Sequence, residues 1–503
     1  MDTTAYSLQP EYPMPGLGAL IEARAATPSA HYLEDARSDA GLTYGQLFAE
    51  LHRWIPRFTA LLGEHGVVVV DIADPIGFAR VYLSAIAGGY HAIPADPALD
   101  AAGLSRILTL VEGEPTVVVS DHPQDRQLSG TELLPLDTND AAELDQTVLH
   151  RTSAASAGAR PGGAALLFTS GSTGTPKGVP LSADQLLTVA HEVAEHNRLT
   201  PDDRGFNPLP LFHVNAEVVG LLATLVAGST LVLDRRFHAT GFWDLIEQRD
   251  ITWINAVPAI LAVLAHTGPL RVPSRVRFIR SASAPLPEAV RHQLAGVPLV
   301  VSYGMTEGAS QITATPLGEP IREGSVGKPV GCELQIRTDA GPAPTGTIGD
   351  IWIRGRGVIH SYYGGRAADR FDPDGWLRTG DLGKLDADGY VYLVGRSDDV
   401  INQGGEMVYP ADIEEILLED PRIREAVVVG RPDPVLHQVP TAYVIPADLT
   451  QPADALAADL TQRCETHLPK YKRPVHIDIV EDLPRAATGK IRRAQVRHLA
   501  ASA

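Results

Sequence analysis

Along this chain, short continuous apolar runs alternate with amphipathic stretches. The runs at 66–72, 115–119 and 164–168 are too brief for helices and read as buried strands, while residues 75–88 read as a helix. Ser182 followed three residues later by Gln185 is a capping-box pattern, which predicts a helix from there to about Glu195. Alternation of this kind over several hundred residues predicts an α/β architecture with largely parallel sheets. From Gly346 the texture changes to short strands and turns, with strands expected over 350–354 and 390–394. Beyond Gly395, a small α/β segment is expected with helices over 410–418 and 454–467. Pro410 suits a first helical position and Asp454 an N-cap. The boundary between a large and a small domain falls near Arg396 to Asp399, and residues 152–163, rich in Ala, Ser and Gly, read as a surface linker. The longest apolar stretch, 218–233, is broken by Gly, Thr and Ser and is short for a membrane span, so it reads as a buried element.

Composition narrows the function classes. Hydrophobic residues make up 44% of the 503, ample for sizeable cores and a poor fit to a disordered chain. A formal charge of -19 argues against a broad nucleic-acid surface or a face for anionic membranes, so any polyphosphate must be held by local motifs. Cys332 and Cys464 are far apart and in no metal spacing, which points to a reduced, cytoplasmic protein. The first fifteen residues carry Asp2 and Glu11 and no apolar core, unlike a signal peptide. Lysine occurs only at Lys177, Lys328, Lys384, Lys470, Lys472 and Lys490. Lys177 and Lys490 stand inside Gly/Thr-rich loops, whereas Lys328 and Lys384 read as surface solvation.

The strongest local signal runs Leu167-Phe-Thr-Ser-Gly-Ser-Thr-Gly-Thr-Pro-Lys-Gly178, directly after a strand. Gly171 and Gly174 let backbone amides approach phosphate oxygens. The hydroxyls of Thr169, Ser170, Ser172 and Thr173 add donors, and Lys177 adds a charge. It is not a Walker A loop, because no Gly-Lys-Ser/Thr ends it, and on composition alone a flexible Gly/Ser loop competes. His191-Glu192-x-x-Glu195-His196 nearly matches a zinc-protease motif. Its second His falls one place late, so the stretch reads as the polar face of the Ser182 helix. There is no Gly-x-Ser-x-Gly nucleophile elbow.

Further motifs follow in order: Pro210-Leu-Phe-His-Val214, Tyr303-Gly-Met-Thr-Glu307, Thr379-Gly-Asp381, Gly395-Arg-Ser-Asp398, Gly404-Gly-Glu406 and Pro484-Arg-Ala-Ala-Thr-Gly-Lys490. With the loop at 167–178 they make the chain resemble the adenylate-forming superfamily, in its acyl- and aryl-CoA ligase branch, over roughly residues 40–493. The resemblance implies a large N-terminal domain, 1–395, of stacked α/β sheets plus a small β-barrel-like subdomain. A small mobile α+β C-terminal domain, 396–503, would carry a catalytic lysine. It implies activation of a carboxylic acid by ATP to an acyl-adenylate, then transfer to CoA, with Mg2+ as the metal. By the same resemblance Thr169 to Gly174 hold phosphates, and Lys177, Glu307 and Lys490 are catalytic. Glu307 also holds magnesium with Thr169. Ser283, Ala284, Ser302, Tyr303, Gly304, Met305 and Thr306 line the nucleotide, Tyr303 stacking on adenine. Asp381 takes the ribose hydroxyls and Arg396 the ribose or phosphate region.

By the same resemblance His213 and Asn215 are expected to shape the acyl pocket, and since residues 212–215 hold no acid, an α-amino acid substrate is not expected. Asp398 is the implied hinge, about which Gly404, Gly405 and Glu406 come to line a CoA thiol tunnel; a plain hairpin turn is the simpler reading of the two glycines. Lys470, Tyr471, Lys472 and Arg473 suit either CoA phosphates or a solvated loop. Two departures from the family pattern stand out. Ser182-Ala183-Asp184-Gln185 replaces a common Thr-His-x-Asn, and Asn402 and Gln403 stand where many relatives carry Lys or Arg. Three alternatives therefore stay open. One is a stand-alone adenylating enzyme loading a carrier protein, and another is a ligase competent in one half-reaction with a partner enzyme for the other. The third, a catalytically dead nucleotide-binding module, is opposed by intact Lys177, Glu307, Asp381 and Lys490.

Overall fold

Strands Val67–Asp71 and Thr116–Ser120 are apolar over four and three consecutive residues because they lie inside a sheet. They pair in parallel, Val67–Asp71 pairs in parallel with His91–Pro94 on its other side, and every residue of the first two is buried. The computed structural model describes residues 16–121, 131–134, 148–152, 163–169, 177–268, 270–294, 296–485 and 491–502. This seven-stranded sheet runs in the order Thr131–Leu134, Val148–Thr152, Thr116–Ser120, Val67–Asp71, His91–Pro94, Ala164–Thr169, Lys177–Ser182. The last two pair antiparallel with Thr169 opposite Lys177. Both ends of the 170–176 segment, which lies outside the described residues, are thereby held at the sheet edge.

A nine-stranded sheet runs Lys328–Pro329, Thr313–Ala314, Leu299–Tyr303, Phe278–Ala282, Trp253–Ala256, Arg204–Asn207, Thr230–Leu233, His31–Asp35, Gly41–Thr43. Its middle strands are parallel, so their C-terminal ends share one edge.

Helix starts follow the local chemistry. Helix Pro75–Ala87 opens on Asp74, whose side chain accepts from Gly77 N, with Pro75 in the first turn. Helix Ala183–His196 opens on the predicted capping box, Ser182 and Gln185 bonding each other's backbone. The face bearing His191, Glu192 and His196 is half-buried rather than solvated, and burial lowers the pKa of both histidines. The long apolar stretch becomes three buried elements: π-helix Ala216–Leu222, α-helix Ala223–Ala227 ended by left-handed Gly228, and strand Thr230–Leu233. No helix among the described residues is long and apolar enough to cross a membrane.

The chain divides into two compact units: Met1–Leu334 with Ile353–Leu377 and Gly389–Val391, and Gln335–Trp352 with Arg378–Asp388 and Tyr392–Ala503. The barrel-like subdomain expected after Gly346 is a five-stranded open sheet, Gly341–Pro342, Glu333–Thr338, Gly349–Arg354, Leu377–Leu385, Val391–Arg396; no closed barrel is found among the described residues. In the second unit another sheet orders Glu406–Val408, Ile401–Gln403, His437–Pro446 and Ile423–Asp433, with His476–Ile479 parallel to His437–Pro446. Val428, Ala442 and Val444 of that sheet form a core with Ile413, Leu417, Leu456 and Leu460 from helices Pro410–Leu418 and Ala453–His467. Pro410 occupies the first helical turn as expected. Asp454 does not cap its helix: the N-cap is Pro452, and Asp454 sits in the first turn, where the helix dipole favours a carboxylate.

Candidate active site

Strand Leu299–Tyr303 feeds directly into a tight turn that presents Glu307. The turn needs close backbone approach at Gly304, where a Cβ would come within 1.4 Å of the Ser310 carbonyl oxygen. Ala309 and Ser310 take positive φ of 49° and 89°, a strained geometry for non-glycine residues that clusters at functional sites. Glu307 is 6% exposed. Its Oε1 accepts from the Tyr362 hydroxyl at 2.7 Å and pairs with the Arg370 guanidinium at 3.3 Å, and Arg370 also bonds the Tyr362 hydroxyl. On the Tyr362 ring lie two cations, Lys177 with its Nζ 5.7 Å from the centroid and Arg370 at 5.6 Å. Predicted Lys177 and Glu307 thus meet around one tyrosine beside the ends of the 170–176 segment.

Both bonds to the carboxylate end on Oε1, so Oε2 is the oxygen offered to a hard cation such as Mg2+. No group of three or more His, Cys, Asp or Glu among the described residues could hold a metal by itself. That fits magnesium, which is commonly bound by one or two carboxylates together with substrate phosphates.

Tyr303 is buried at the strand end, its backbone N–H directed at Thr313 Oγ1 at 3.4 Å. Ser283, at φ 78°, and Ala284 are exposed just beyond strand Phe278–Ala282. The predicted nucleotide wall therefore sits at the C-terminal ends of two neighbouring parallel strands, where open α/β sheets bind ligands. Ser170 to Gly174 and Lys490 lie outside the described residues, as does the side chain of Thr169.

In the second unit, Asp381 follows Gly380, whose φ of 79° turns the chain so that Arg396 Nη1 reaches Asp381 Oδ1 at 3.1 Å. Arg396 is half exposed and its Nε also reaches Asp398 Oδ1 at 3.4 Å, so the predicted ribose carboxylate, its arginine and the predicted hinge form one chain of contacts. The Asp398 carbonyl accepts from Arg497, which also pairs with Asp399 at 2.7 Å. Gly404 and Gly405, at φ 63° and 98°, form the two-residue turn of a hairpin in which Gln403 faces Glu406. Asn402 Oδ1 accepts from Gly405 N at 2.8 Å, so the residue that departs from the family's basic pattern stabilises this turn. Of the basic cluster, Lys472 is paired with Asp412 at 2.5 Å and Arg473 with the Leu468 and Glu465 carbonyls; neither is a free solvated cation.

Predicted acyl-pocket residues His213 and Asn215 are half-buried in the first unit. Burial holds His213 below the usual histidine range, and its Nε2 has no hydrogen-bond partner. Asn215 Oδ1 accepts from Asn255 at 3.0 Å and from Arg280 at 3.2 Å. Sequence reasoning missed Tyr362, Arg370 and Arg280. Tyr362 and Arg370 lie in a run of Tyr, Gly and Arg with no motif of their own, and Arg280 sits among apolar strand residues.

The model for AMP-binding enzymes matches residues 21–363, and that for the AMP-binding enzyme C-terminal domain matches residues 412–490. Sulfoacetate–CoA ligase of Cupriavidus necator is 36% identical over 501 residues, covering 95% of this chain and 97% of that protein. A solved structure of o-succinylbenzoate CoA synthetase from Bacillus subtilis, in complex with its acyl-adenylate intermediate, is similar with a TM-score of 0.79 at 29% identity, over 95% of this chain and 97% of that one. The same enzyme in complex with ATP and magnesium ion gives 0.76 at 27%, over 96% and 98%. The chain belongs to the adenylate-forming superfamily of AMP-binding enzymes, in its acyl- and aryl-CoA ligase branch.

Proposed function

We propose that this protein is an ATP-dependent, AMP-forming ligase that activates a non-amino carboxylic acid and transfers it to CoA. The observation that carries the reading is the Lys177–Tyr362–Glu307–Arg370 cluster beside the strand ends that flank the 170–176 loop. In the first half-reaction a carboxylate oxygen bonds to the α-phosphorus of ATP and pyrophosphate leaves. Negative charge moves across the phosphate chain, so the protein's part is positioning and charge stabilisation. Lys177, held over Tyr362, supplies a cation at the base of the phosphate loop. Glu307, with Thr169, would hold Mg2+, which contributes further charge neutralisation. We assign Asp381, bonded to Arg396, to the ribose hydroxyls. Lys490 is the second cation of this step.

In the second half-reaction the CoA sulfur bonds to the acyl carbon and AMP leaves. We assign Asp398 as the hinge between the two steps and Gly404, Gly405 and Glu406 to the thiol path, where left-handed glycines keep side chains out of the way. Residues 212–215 carry no acid to pair an ammonium, which supports a non-amino substrate. Two free cysteines suit a reducing cytoplasm.

A pyrophosphate-release screen over a carboxylic acid library, with and without CoA, tests the reading, with mass detection of thioesters. Release that needs acid and yields an acyl-CoA is the expected result. Acid-dependent release with thioester formed only on a supplied carrier protein would replace CoA as acceptor, and no release with any acid would remove the ligase assignment.

A further inference from the structure

Beneath the C-terminal edge of the nine-stranded sheet lies a cation with no counter-charge among the described residues. Arg280, in the middle of strand Phe278–Ala282, is 0% exposed. Its hydrogen bonds go only to neutral oxygens. Nη1 reaches Asn215 Oδ1 at 3.2 Å and Asn255 Oδ1 at 3.3 Å, while Nη2 reaches Ser302 Oγ at 3.0 Å and Gln311 Oε1 at 3.4 Å. Its Nε has no partner, and among the described residues no carboxylate lies within ion-pair distance. Burial alone pushes this guanidinium down to about 9. Buried charges are ordinarily paired, because an isolated one forfeits its hydration for nothing.

The surroundings say where the missing anion belongs. Two of the four neutral partners sit at the site: Ser302 directly precedes Tyr303 at the strand end, and Asn215 is half-buried beside His213. The Nε2 of His213 and the Nε2 of Gln311 are likewise buried without partners, so this end of the sheet is polar and underbonded.

We propose that Arg280 is a specificity-determining counter-charge that makes the site selective for acids carrying a second anionic group, a carboxylate or a sulfonate, besides the carboxylate that is activated. This rests on the ligase reading given above. Arg280 acts through Asn215 and Ser302, the hydrogen-bonded neighbours that stand closest to the site, and its field reaches the distal anion across them. An uncharged tail leaves the guanidinium uncompensated, so discrimination appears in substrate binding more than in turnover.

The test compares three acid pairs of matched shape, oxalate with oxamate, malonate with malonamate, and succinate with succinamate. Adenylation is followed by ATP–pyrophosphate exchange and binding by calorimetry in the presence of AMP. The full-length enzyme should prefer the dianion of its best pair by about a hundredfold or more in kcat/KM, mostly through KM. Gln311→Glu is the decisive variant: Gln311 Nε2 has no partner, so the change loses no hydrogen bond, and it places a carboxylate against Arg280. It should melt no lower than the parent while its dianion preference falls at least tenfold. Arg280→Met should abolish the preference as well. Equal use of both members of every pair, or a preference untouched in Gln311→Glu, overturns the proposal. If no acid supports exchange, the ligase reading fails, and calorimetry still decides whether dianions bind more tightly than their half-amides.

Discussion

Glu307 holds one carboxylate oxygen against Tyr362 and Arg370, which leaves the other for the proposed cation, so Arg370 and that metal would both offset one buried charge. Arg370→Ala would leave that carboxylate with a phenol alone. Calorimetric melting in EDTA should show a loss of about 2–3 kcal/mol, the scale of breaking a buried pair. Mg2+ with ATP should recover more stability in the variant than in the parent, and equal increments would show that Arg370 and the metal site are independent. A second residue-scale prediction concerns Glu217, which is fully buried in the π-helix, where Tyr82 donates to its Oε2 at 2.7 Å. Burial pushes its carboxyl up to about 8. Between roughly pH 5 and that value the folded state keeps a proton that the unfolded chain releases. Its contribution is therefore fully present below the unfolded-state pKa and is lost as pH rises through about 8. The slope is at most about 1.4 kcal/mol per pH unit. Glu217→Gln keeps an acceptor for Tyr82 and should flatten the fall in melting temperature over this window; an unchanged pH profile would mean another group sets it. Neither Glu217 nor Arg280 was legible as special in the sequence, because a charged residue inside an apolar run carries no local mark of how deeply it will be buried.

At the scale of elements the sequence was far more legible. The Ser182–Gln185 box forms and starts its helix at Ala183, and Pro410 opens the helix that ends at Leu418, because caps act through bonds within one turn. Ser182→Ala should lower stability by about 1 kcal/mol. Gln185→Ala should cost more, since its side-chain amide also donates to the Val358 carbonyl at 2.7 Å. Urea titration of both variants checks this order, and equal losses would make that bond energetically silent. Where elements were misread the cause was tertiary. Helix Ala453–His467 begins one residue earlier than expected, on Pro452, and residues 218–233 split into a π-helix, an α-helix and a strand. A uniformly apolar run has no periodicity from which its divisions can be read.

For the whole molecule, two half-reactions and two compact units suggest that each unit supplies a separable part of the chemistry. Lys490→Ala should lower adenylate formation by about 100-fold to 1000-fold, the scale of losing one preorganised charge. Thioester formation from a supplied acyl-adenylate should stay largely intact, and rapid-quench assays of the two steps separate them. Equal loss in both would refute the assignment of Lys490 to the first step. What the sequence by itself determined is the α/β alternation and the family, because phosphate-loop motifs, strand-end turns and helix caps are built from residues close together along the chain. Only the tertiary structure decided that Tyr362 joins Lys177 to Glu307, that Arg370 pairs with the same Glu307 carboxylate, and that Arg280 lies buried among Asn215, Asn255, Ser302 and Gln311. Those groups come from segments far apart in sequence. It is the pairing of strands in the sheets and the closing of turns over them that bring them within a few ångströms, and no local pattern encodes that meeting.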